Sequence, residues 1–173
     1  MDSPENIRHT VNTRKIVQVL NASFGTVAEE FKFSAEKVPL FPAYATAESL
    51  DAKILQGLMM YGYYEKDKLL GCVGIRNTGE DRLFIIEYLA VLPECRHRNI
   101  GRYLVEHALE EICRYKGTVA LIETVYENAR LRKWFAALGF RERRVDTYPN
   151  LPFRVCIMTK NIPPAEEERR GVP

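Results

Sequence analysis

A short run of basic residues stands where a predicted helix begins, between the apolar run 83–92 and Ile100. The side chains there that carry or can acquire positive charge are Arg96, His97, Arg98 and Arg102. The first N–H groups of a helix have no acceptor within the helix, and the helix macrodipole is positive at that end. Backbone and side chains together therefore predict an anion site suited to a diphosphate. The alternative is a solvated helix start that merely carries basic residues.

Two glutamates lie inside otherwise apolar runs, Glu87 within 83–92 and Glu123 within 119–125. A carboxylate in such a strand must be paired, hydrogen-bonded or functional, because burying an uncompensated charge is costly. A carboxylate can also accept a proton from an alkylammonium, whose pKa of roughly 10 leaves it charged and unreactive at neutral pH. Each glutamate is therefore a candidate general base, and an ordinary ion pair is the alternative for each.

The elements that position these residues follow from hydrophobic patterning. The nearly continuous apolar run from Leu83 to Leu92 predicts a central strand covered on both faces, which Pro93 ends. Apolar residues three and four apart predict a helix from Ile100 to about Tyr115. The run 119–125 predicts the next strand, so strand, helix and strand form a right-handed parallel crossover. The basic loop then lies at the end of the central strand.

The same patterning predicts the remaining elements. They are a helix over 13–31, a proline-containing ordered loop over 38–44, a helix from Thr46 to near Gly57, a strand hairpin over 59–64 and 69–75, a helix over 131–138 capped by Gly139, and strands over 140–145 and 153–159. We expect one domain over 1–162 and a disordered tail over 163–173, since the chain has 173 residues, the size of one domain.

Composition excludes several classes of protein. The formal net charge is +2 with both signs interspersed, which argues against a nucleic-acid partner. The four cysteines have no metal-ligand spacing, so we expect no metal and free thiols in a reducing compartment. No apolar run is long enough to cross a bilayer, which predicts a cytoplasmic protein without a membrane partner. Neither a Gly-Lys-Ser/Thr loop nor a Gly-x-Gly-x-x-Gly turn is present, which disfavours ATP and NAD.

The segment 89–104 resembles the acetyl-CoA signature of the GNAT superfamily, in which a strand ending Leu-Ala-Val is followed by Pro-Glu-Tyr-Arg-Gly-x-Gly-Ile-Gly and a helix. Arg96, Ile100 and Gly101 match that pattern, whereas His97 and Asn99 replace its earlier glycines. Asn is the non-glycine residue that best tolerates left-handed backbone, so Asn99 is a good substitute and His97 a weaker one.

A second match lies at 128–140. The superfamily commonly has Asn, a small or aliphatic residue, Leu-Tyr and finally Gly-Phe at this spacing. Asn128, Leu131, Gly139 and Phe140 agree, and Phe135 stands where relatives have tyrosine. The resemblance covers roughly 61–160. It implies a mixed α/β (α+β) GNAT fold: a mostly antiparallel sheet splayed between two parallel strands and flanked by about four helices.

The resemblance also implies an activity. An amine would attack the thioester of acetyl-CoA directly in a ternary complex, while the backbone at Leu89 and Val91 binds the pantetheine arm. The resemblance implies that acetyl-CoA is bound by the following residues: Leu89, Ala90, Val91, Arg96, His97, Arg98, Asn99, Ile100, Gly101, Arg102, Asn128 and Phe135. Of the two glutamates it favours Glu123 over Glu87 as base, since glutamate near this place serves that role in some peptide-amine acetyltransferases.

Phe135 leaves the departing thiolate without the tyrosine hydroxyl of relatives, so we expect water, Tyr126 or Tyr148 to supply the proton, or none to be needed. Two alternatives remain: a non-catalytic CoA-binding sensor, and an interaction domain whose basic loop binds an unrelated anion. The acceptor, a small-molecule or peptide amine, is not identified, and homodimerisation is left open. The tyrosines 44, 61, 63, 64 and 148 indicate either an aromatic acceptor side or strand packing.

Overall fold

The computed structural model describes residues 4–163, which form a mixed sheet of seven strands with four α-helices. The helices are α1 (Thr13–Glu30), α2 (Ala47–Leu55), α3 (Ile100–Arg114) and α4 (Ala129–Ala137). The strands are β1 (Ile7–His9), β2 (Met59–Glu65), β3 (Lys68–Asn77), β4 (Leu83–Val91), β5 (Val119–Val125), β6 (Arg141–Thr147) and β7 (Arg154–Asn161). The elements predicted from patterning are confirmed, with ends that differ by a few residues.

The sheet opens in its middle. Its order is β1-β2-β3-β4-β5-β7-β6, and β4 and β5 are the parallel pair, joined by α3. Their pairing runs only from Leu83↔Val119 to Ile86↔Ile122. Beyond that point the remainder of each strand has no partner across the gap, so the two strands splay apart. The predicted fold, a mostly antiparallel sheet split between two parallel strands, is confirmed.

A bulge in β4 lies at the point where the strands separate. Gly74 pairs with Glu87 and Cys72 with Ala90, so the two residues Tyr88 and Leu89 oppose a single residue of β3. Tyr88 has a φ of 55°, a conformation uncommon for a bulky side chain. Bulges re-aim a strand, because the extra residue reverses which face the following side chains reach.

Two helical layers cover the sheet. The larger core lies between the sheet and α3, where Phe84 and Ile86 of β4 pack with Leu104, Ala108 and Ile112. The second core lies on the opposite face, where α1 and α2 cover β2, β3 and the end of β4. Because of the bulge, Leu89 and Val91 also pack towards the larger core, whereas Ala90 belongs to the second.

Strand β1 is not predicted by the hydrophobic pattern; its three residues pair antiparallel with β2 from Ile7↔Tyr63 to His9↔Tyr61. Ile7 is its single aliphatic residue, so the segment carries no alternating pattern. The strand is held instead by the ladder and by Asn6, whose amide donates to the Tyr63 hydroxyl at 3.1 Å. The predicted disordered tail, apart from Pro163, lies outside the described residues.

Candidate active site

A cleft of about 870 Å³ lies between the free half of β4, the start of α3, α4 and one side of α1. All of the residues predicted to bind acetyl-CoA line it, except Arg98 and Phe135. The cleft exists because β4 and β5 separate after Ile86 and Ile122. On its open edge, β4 therefore presents backbone groups that have no ladder partner in β5.

The loop that leads into α3 uses left-handed backbone at two places. His97 has a φ of 65° and Asn99 a φ of 61°. Asn99 is the N-cap of α3, yet its side chain forms no capping hydrogen bond. These are the two positions where the related signature has glycine, so the conformation that glycine favours is kept without glycine. The structure places His97 in this conformation as well as Asn99.

The start of α3 faces the cleft with unpaired donors. The first-turn N–H groups of Ile100, Gly101 and Arg102 have no backbone acceptor within residues 4–163, and the first helical hydrogen bond is that of Tyr103 N–H to the Asn99 carbonyl at 3.0 Å. A Cβ added at Gly101 would lie 3.5 Å from the Trp134 ring and 3.7 Å from Val91. A side chain at this position would therefore occupy cleft space between Trp134 and Val91, beside the start of α3.

Arg96 lines the cleft but also ties the loop to α1. Its Nη2 donates to the Ser23 carbonyl at 3.0 Å, to the Thr26 hydroxyl at 3.0 Å and to the Ser23 hydroxyl at 3.4 Å. Burial lowers the pKa of Arg96, and the nearby charge of Arg130 lowers it further. Arg130, which pairs with Glu30 at 3.4 Å, also lines the cleft, so an anion bound there would offset the repulsion between the two guanidinium groups.

Glu87 and Glu123 occupy equivalent positions on β4 and β5, one residue beyond the last register pair. Phe84, Ile86, Ala120 and Ile122 face α3, so the alternation of a strand turns both glutamates to the opposite face of the sheet. They therefore lie together at the mouth of the split, where the two strands begin to separate.

The two carboxylates have different surroundings. Glu87 accepts a hydrogen bond at 2.6 Å from Arg76 Nε and is ion-paired with it. Glu123 forms no ion pair or side-chain hydrogen bond with any residue from 4 to 163. Its side chain is open to solvent, yet the protein around it displaces enough water to raise the pKa of Glu123. The negative charges of Glu87 and Asp146 raise that pKa further, against Arg144 and Arg76, which lower it.

Residues 56–142 match the family model of the acetyltransferase (GNAT) domain. The chain belongs to the GNAT acetyltransferase family. No curated protein sequence matches it.

Solved structures share this GNAT fold. The ribosomal-protein-S18-alanine N-acetyltransferase from Escherichia coli is 16% identical with a TM-score of 0.71, over 93% of this chain and 96% of that one. The PaiA N-acetyltransferase from Thermoplasma acidophilum, in complex with coenzyme A, is 17% identical with a TM-score of 0.72, over 90% and 98%. An aminoglycoside 6'-N-acetyltransferase complexed with coenzyme A is 16% identical with a TM-score of 0.69, over 92% and 98%. At such identities the likeness establishes the fold alone.

Two predicted cofactor residues of this GNAT domain lie elsewhere. Arg98 forms an ion pair with Glu65 at 2.7 Å and does not line the cleft, because the left-handed residues on either side of it redirect the chain. Phe135 is 5% exposed and packs edge-to-face on Trp134 and Phe140 in the larger core. The neighbouring Trp134 lines the cleft instead.

Helices α1 and α4 supply a second wall of the cleft, most of which was not predicted from the sequence. Its residues include Ser23, Phe24, Thr26, Val27, Glu30, Arg130, Leu131 and Trp134. Amphipathic patterning marks these helices as core elements and does not show which side chains border a cleft. Arg76 and Tyr88 were missed as well, since register and a bulge bring them beside Glu87.

The tyrosines of β2 and the two tyrosines considered as proton donors have different surroundings. Tyr61, Tyr63 and Tyr64 are buried, so they are packing residues of β2. The Tyr126 ring lies between the guanidinium groups of Arg132 and Arg154, each 4.2 Å from its centroid. Tyr126 is outside the cleft lining, and Tyr148 is 42% exposed in the loop between β6 and β7.

Three further observations concern the described part of the chain. No helix between residues 4 and 163 is both long and apolar enough to span a bilayer. Cys72, Cys95, Cys113 and Cys156 are free thiols. In the same range, no three His, Cys, Asp or Glu side chains are grouped so as to hold a metal ion.

Proposed function

We propose that this protein transfers the acetyl group of acetyl-CoA to a primary amine of a small molecule or peptide, in the cytoplasm and without a metal. The observation that carries the proposal is the cleft, which joins unpaired N–H groups at the start of α3 to an unpaired strand edge of β4. A diphosphate fits the first feature and a peptide-like pantetheine arm fits the second.

The residues that hold acetyl-CoA have separate tasks. The amides of 100–102, with Arg96 and Arg102 beside them, bind the diphosphate, because these first-turn N–H groups lack a backbone acceptor and the start of a helix favours an anion. The backbone of Leu89 and Val91 aligns the arm along β4 as an added strand would. Acetyl-CoA, when bound, supplies an acetyl group activated as a thioester.

Glu123 serves as the base in this proposal. An amine acceptor arrives as an ammonium ion and must lose a proton before it can react. The carboxylate of Glu123 is open to solvent and unpaired among residues 4–163, so one of its oxygens is available to accept that proton. Its raised pKa makes it a stronger base than an ordinary glutamate. Glu87 is the weaker candidate, since Arg76 occupies its carboxylate.

A CoA-binding sensor without turnover is the second candidate, and Phe135 favours it. Its buried ring brings no hydroxyl to the cleft. A thiol with a pKa of roughly 8.5 is nevertheless a tolerable leaving group, so an acid is helpful rather than indispensable.

The deciding experiment is an acceptor panel. Amines, polyamines, aminoglycosides and peptide N-termini are incubated with acetyl-CoA, and free CoA and acetylated product are measured together. The proposal expects both with at least one acceptor class. A thermal shift with acetyl-CoA but no product from any acceptor would favour the sensor, and no thermal shift would favour the unrelated interaction domain.

A further inference from the structure

Five charged side chains, contributed by β3, β4, β5 and β6, form a row on the face of the sheet opposite α3. Glu87 and Glu123 stand side by side at its centre. Register places Glu123 opposite Ile157 of β7, and Ile157 opposite Arg144 of β6, so Arg144 shares that face. The row consists of Arg76, Glu87, Glu123, Arg144 and Asp146.

Two ion pairs flank Glu123 in this row. Arg76 binds Glu87 at 2.6 Å on one side, and Arg144 binds Asp146 at 2.9 Å on the other. Burial is the largest cause of the raised pKa of Glu123; the charges of Glu87 and then Asp146 raise it further, and Arg144 and then Arg76 lower it. Tyr88, which follows Glu87 in β4, is the remaining titratable neighbour in the bulge. Burial raises the pKa of Tyr88, and the charge of Glu87 raises it further.

The two pairs are not equivalent. The side chains of Arg76 and Glu87 are 29% and 16% exposed, against 69% and 27% for Arg144 and Asp146. Water and salt screen the second pair more strongly. Arg76 acts on Glu123 mainly through Glu87, which of the two neighbouring carboxylates raises the pKa of Glu123 more.

We propose that Arg76 is a positioning residue for the acceptor base. By holding the Glu87 carboxylate in an ion pair, it keeps Glu87 and Glu123 from sharing a proton. The inference rests on the proposed function, since it concerns the availability of Glu123 as proton acceptor.

The reason lies in how adjacent carboxylates titrate. Two neighbouring carboxylates without a counter-charge cannot both ionise easily, so the pair binds one proton and titrates in two separated steps. At neutral pH such a dyad holds part of a proton that an incoming ammonium would have to displace. Arg76 removes that competition by stabilising the ionised form of Glu87.

The sign of each expected change follows. In Arg76→Met, the acid limb of log kcat/KM against pH should move up by about 0.5 to 1 pH unit, because the base retains its proton to higher pH. In Glu87→Gln, the acid limb should move to lower pH, because the negative charge that repels the ionised form of Glu123 is gone. The double variant Arg76→Met/Glu87→Gln should return towards the wild-type limb. Arg76→Lys keeps the charge and should largely restore the profile.

Arg114→Met is the matched control. Arg114 also forms an ion pair with a glutamate, Glu111, but it lies in α3 on the other face of the sheet. Its loss changes the net charge equally, so an equal shift in this control would mean a general charge effect and overturn the inference.

A direct titration separates this inference from the proposed function. The Glu123 carboxyl carbon is followed by NMR against pH in ¹³C-glutamate-labelled protein, assigned with Glu123→Gln. A higher Glu123 midpoint in Arg76→Met and a lower one in Glu87→Gln support the electrostatic coupling, and unchanged midpoints in both overturn it. If the midpoints move while the pH–rate profiles do not, Glu123 is not the base, and the catalytic role of Arg76 falls with it. If Arg76→Met fails to fold, Arg76→Gln, which removes the charge and can still donate a hydrogen bond to Glu87, takes its place with the same expected rise and the same contradicting result.

Discussion

The Nη2 atom of Arg96 lies 3.0 Å from the carbonyl oxygen of Ser23, so the loop before α3 is tied to the middle of α1. The same side chain borders the cleft in which acetyl-CoA is proposed to lie. Arg96 thus both holds the loop in place and supplies charge to it. A substitution at Arg96 should therefore change both the stability of the fold and the affinity for acetyl-CoA.

Arg96→Ala should weaken acetyl-CoA binding by about 1 to 3 kcal/mol, the range for a lost charge-assisted hydrogen bond. It should also lower the Tm, because the loop loses its anchor on α1. Calorimetric titration and thermal unfolding measure the two effects. Arg98→Ala is the control, since Arg98 pairs with Glu65 outside the cleft and should leave the affinity unchanged. Equal affinity in Arg96→Ala and wild type would count strongly against the site.

Gly101→Ala should raise the stability of the fold and weaken the binding of acetyl-CoA. Its Cβ would be in ordinary contact with Trp134, so the fold tolerates it, and replacing glycine by alanine within a helix favours folding by up to about 1 kcal/mol. The same Cβ occupies cleft space beside the start of α3, so the Kd for acetyl-CoA should rise at least about tenfold, a cost of roughly 1.4 kcal/mol.

Gly25→Ala provides the comparison, because a Cβ at this position of α1 meets nothing within 4 Å. It should stabilise the protein to a similar degree and leave the affinity intact. Tight acetyl-CoA binding by Gly101→Ala would show that the diphosphate does not approach the start of α3.

Much of this site was predictable because short stretches of sequence determine its strands, its helix start and its backbone conformation. The apolar runs fix β4 and β5, and the cation-rich helix start lies at the end of β4, as expected. Asn99 adopts the left-handed backbone that its side chain tolerates, and His97 does so against its weaker preference.

What the sequence did not predict depends on register and packing. Arg76 reaches Glu87 only because β3 pairs antiparallel with β4 in one register, and the Tyr88 bulge has no local signal. Arg98 carries the same charge as Arg96 and Arg102, but the conformation of the loop places its side chain beside Glu65. Phe135 matches the related motif by position, yet packing turns it into the core and leaves Trp134 at the cleft.

Glu123→Gln should lower kcat by about 10²- to 10⁴-fold while leaving the Kd for acetyl-CoA nearly unchanged, because it removes a proton acceptor and keeps the shape. Glu127→Gln is the isosteric control, since Glu127 pairs with Arg154. If Glu87→Gln abolishes turnover and Glu123→Gln does not, the order of the two candidates is reversed.

The same substitution should change the pH dependence of stability. Because the pKa of Glu123 is raised in the folded state, folding takes up a proton there, and stability falls as the pH rises from the unfolded pKa through the folded one. Glu123→Gln removes this loss. Its Tm should match the wild type in acid and exceed it increasingly through that window, as measured by thermal unfolding across pH. A constant difference would contradict a raised pKa.

Phe135→Tyr should preserve turnover or raise it. Any gain requires the new hydroxyl to reach the cleft from a side chain that is now 5% exposed among Trp134 and Phe140. If it stays in the core without a partner, stability should drop by about 1 to 3 kcal/mol with turnover unchanged. Denaturant unfolding and kcat measure the two outcomes. Loss of acetyl-CoA binding would be unexpected, because Phe135 does not line the cleft.

The central claim is that acetyl-CoA lies along β4 with its diphosphate at the start of α3. A titration of ¹⁵N-labelled protein with acetyl-CoA, followed by backbone amide NMR, tests it most directly. We expect the largest saturable shifts at the amides of 99–102 and 89–91, with smaller changes in α2 and β6. Binding that leaves both segments unmoved, or shifts confined to another surface, would contradict it.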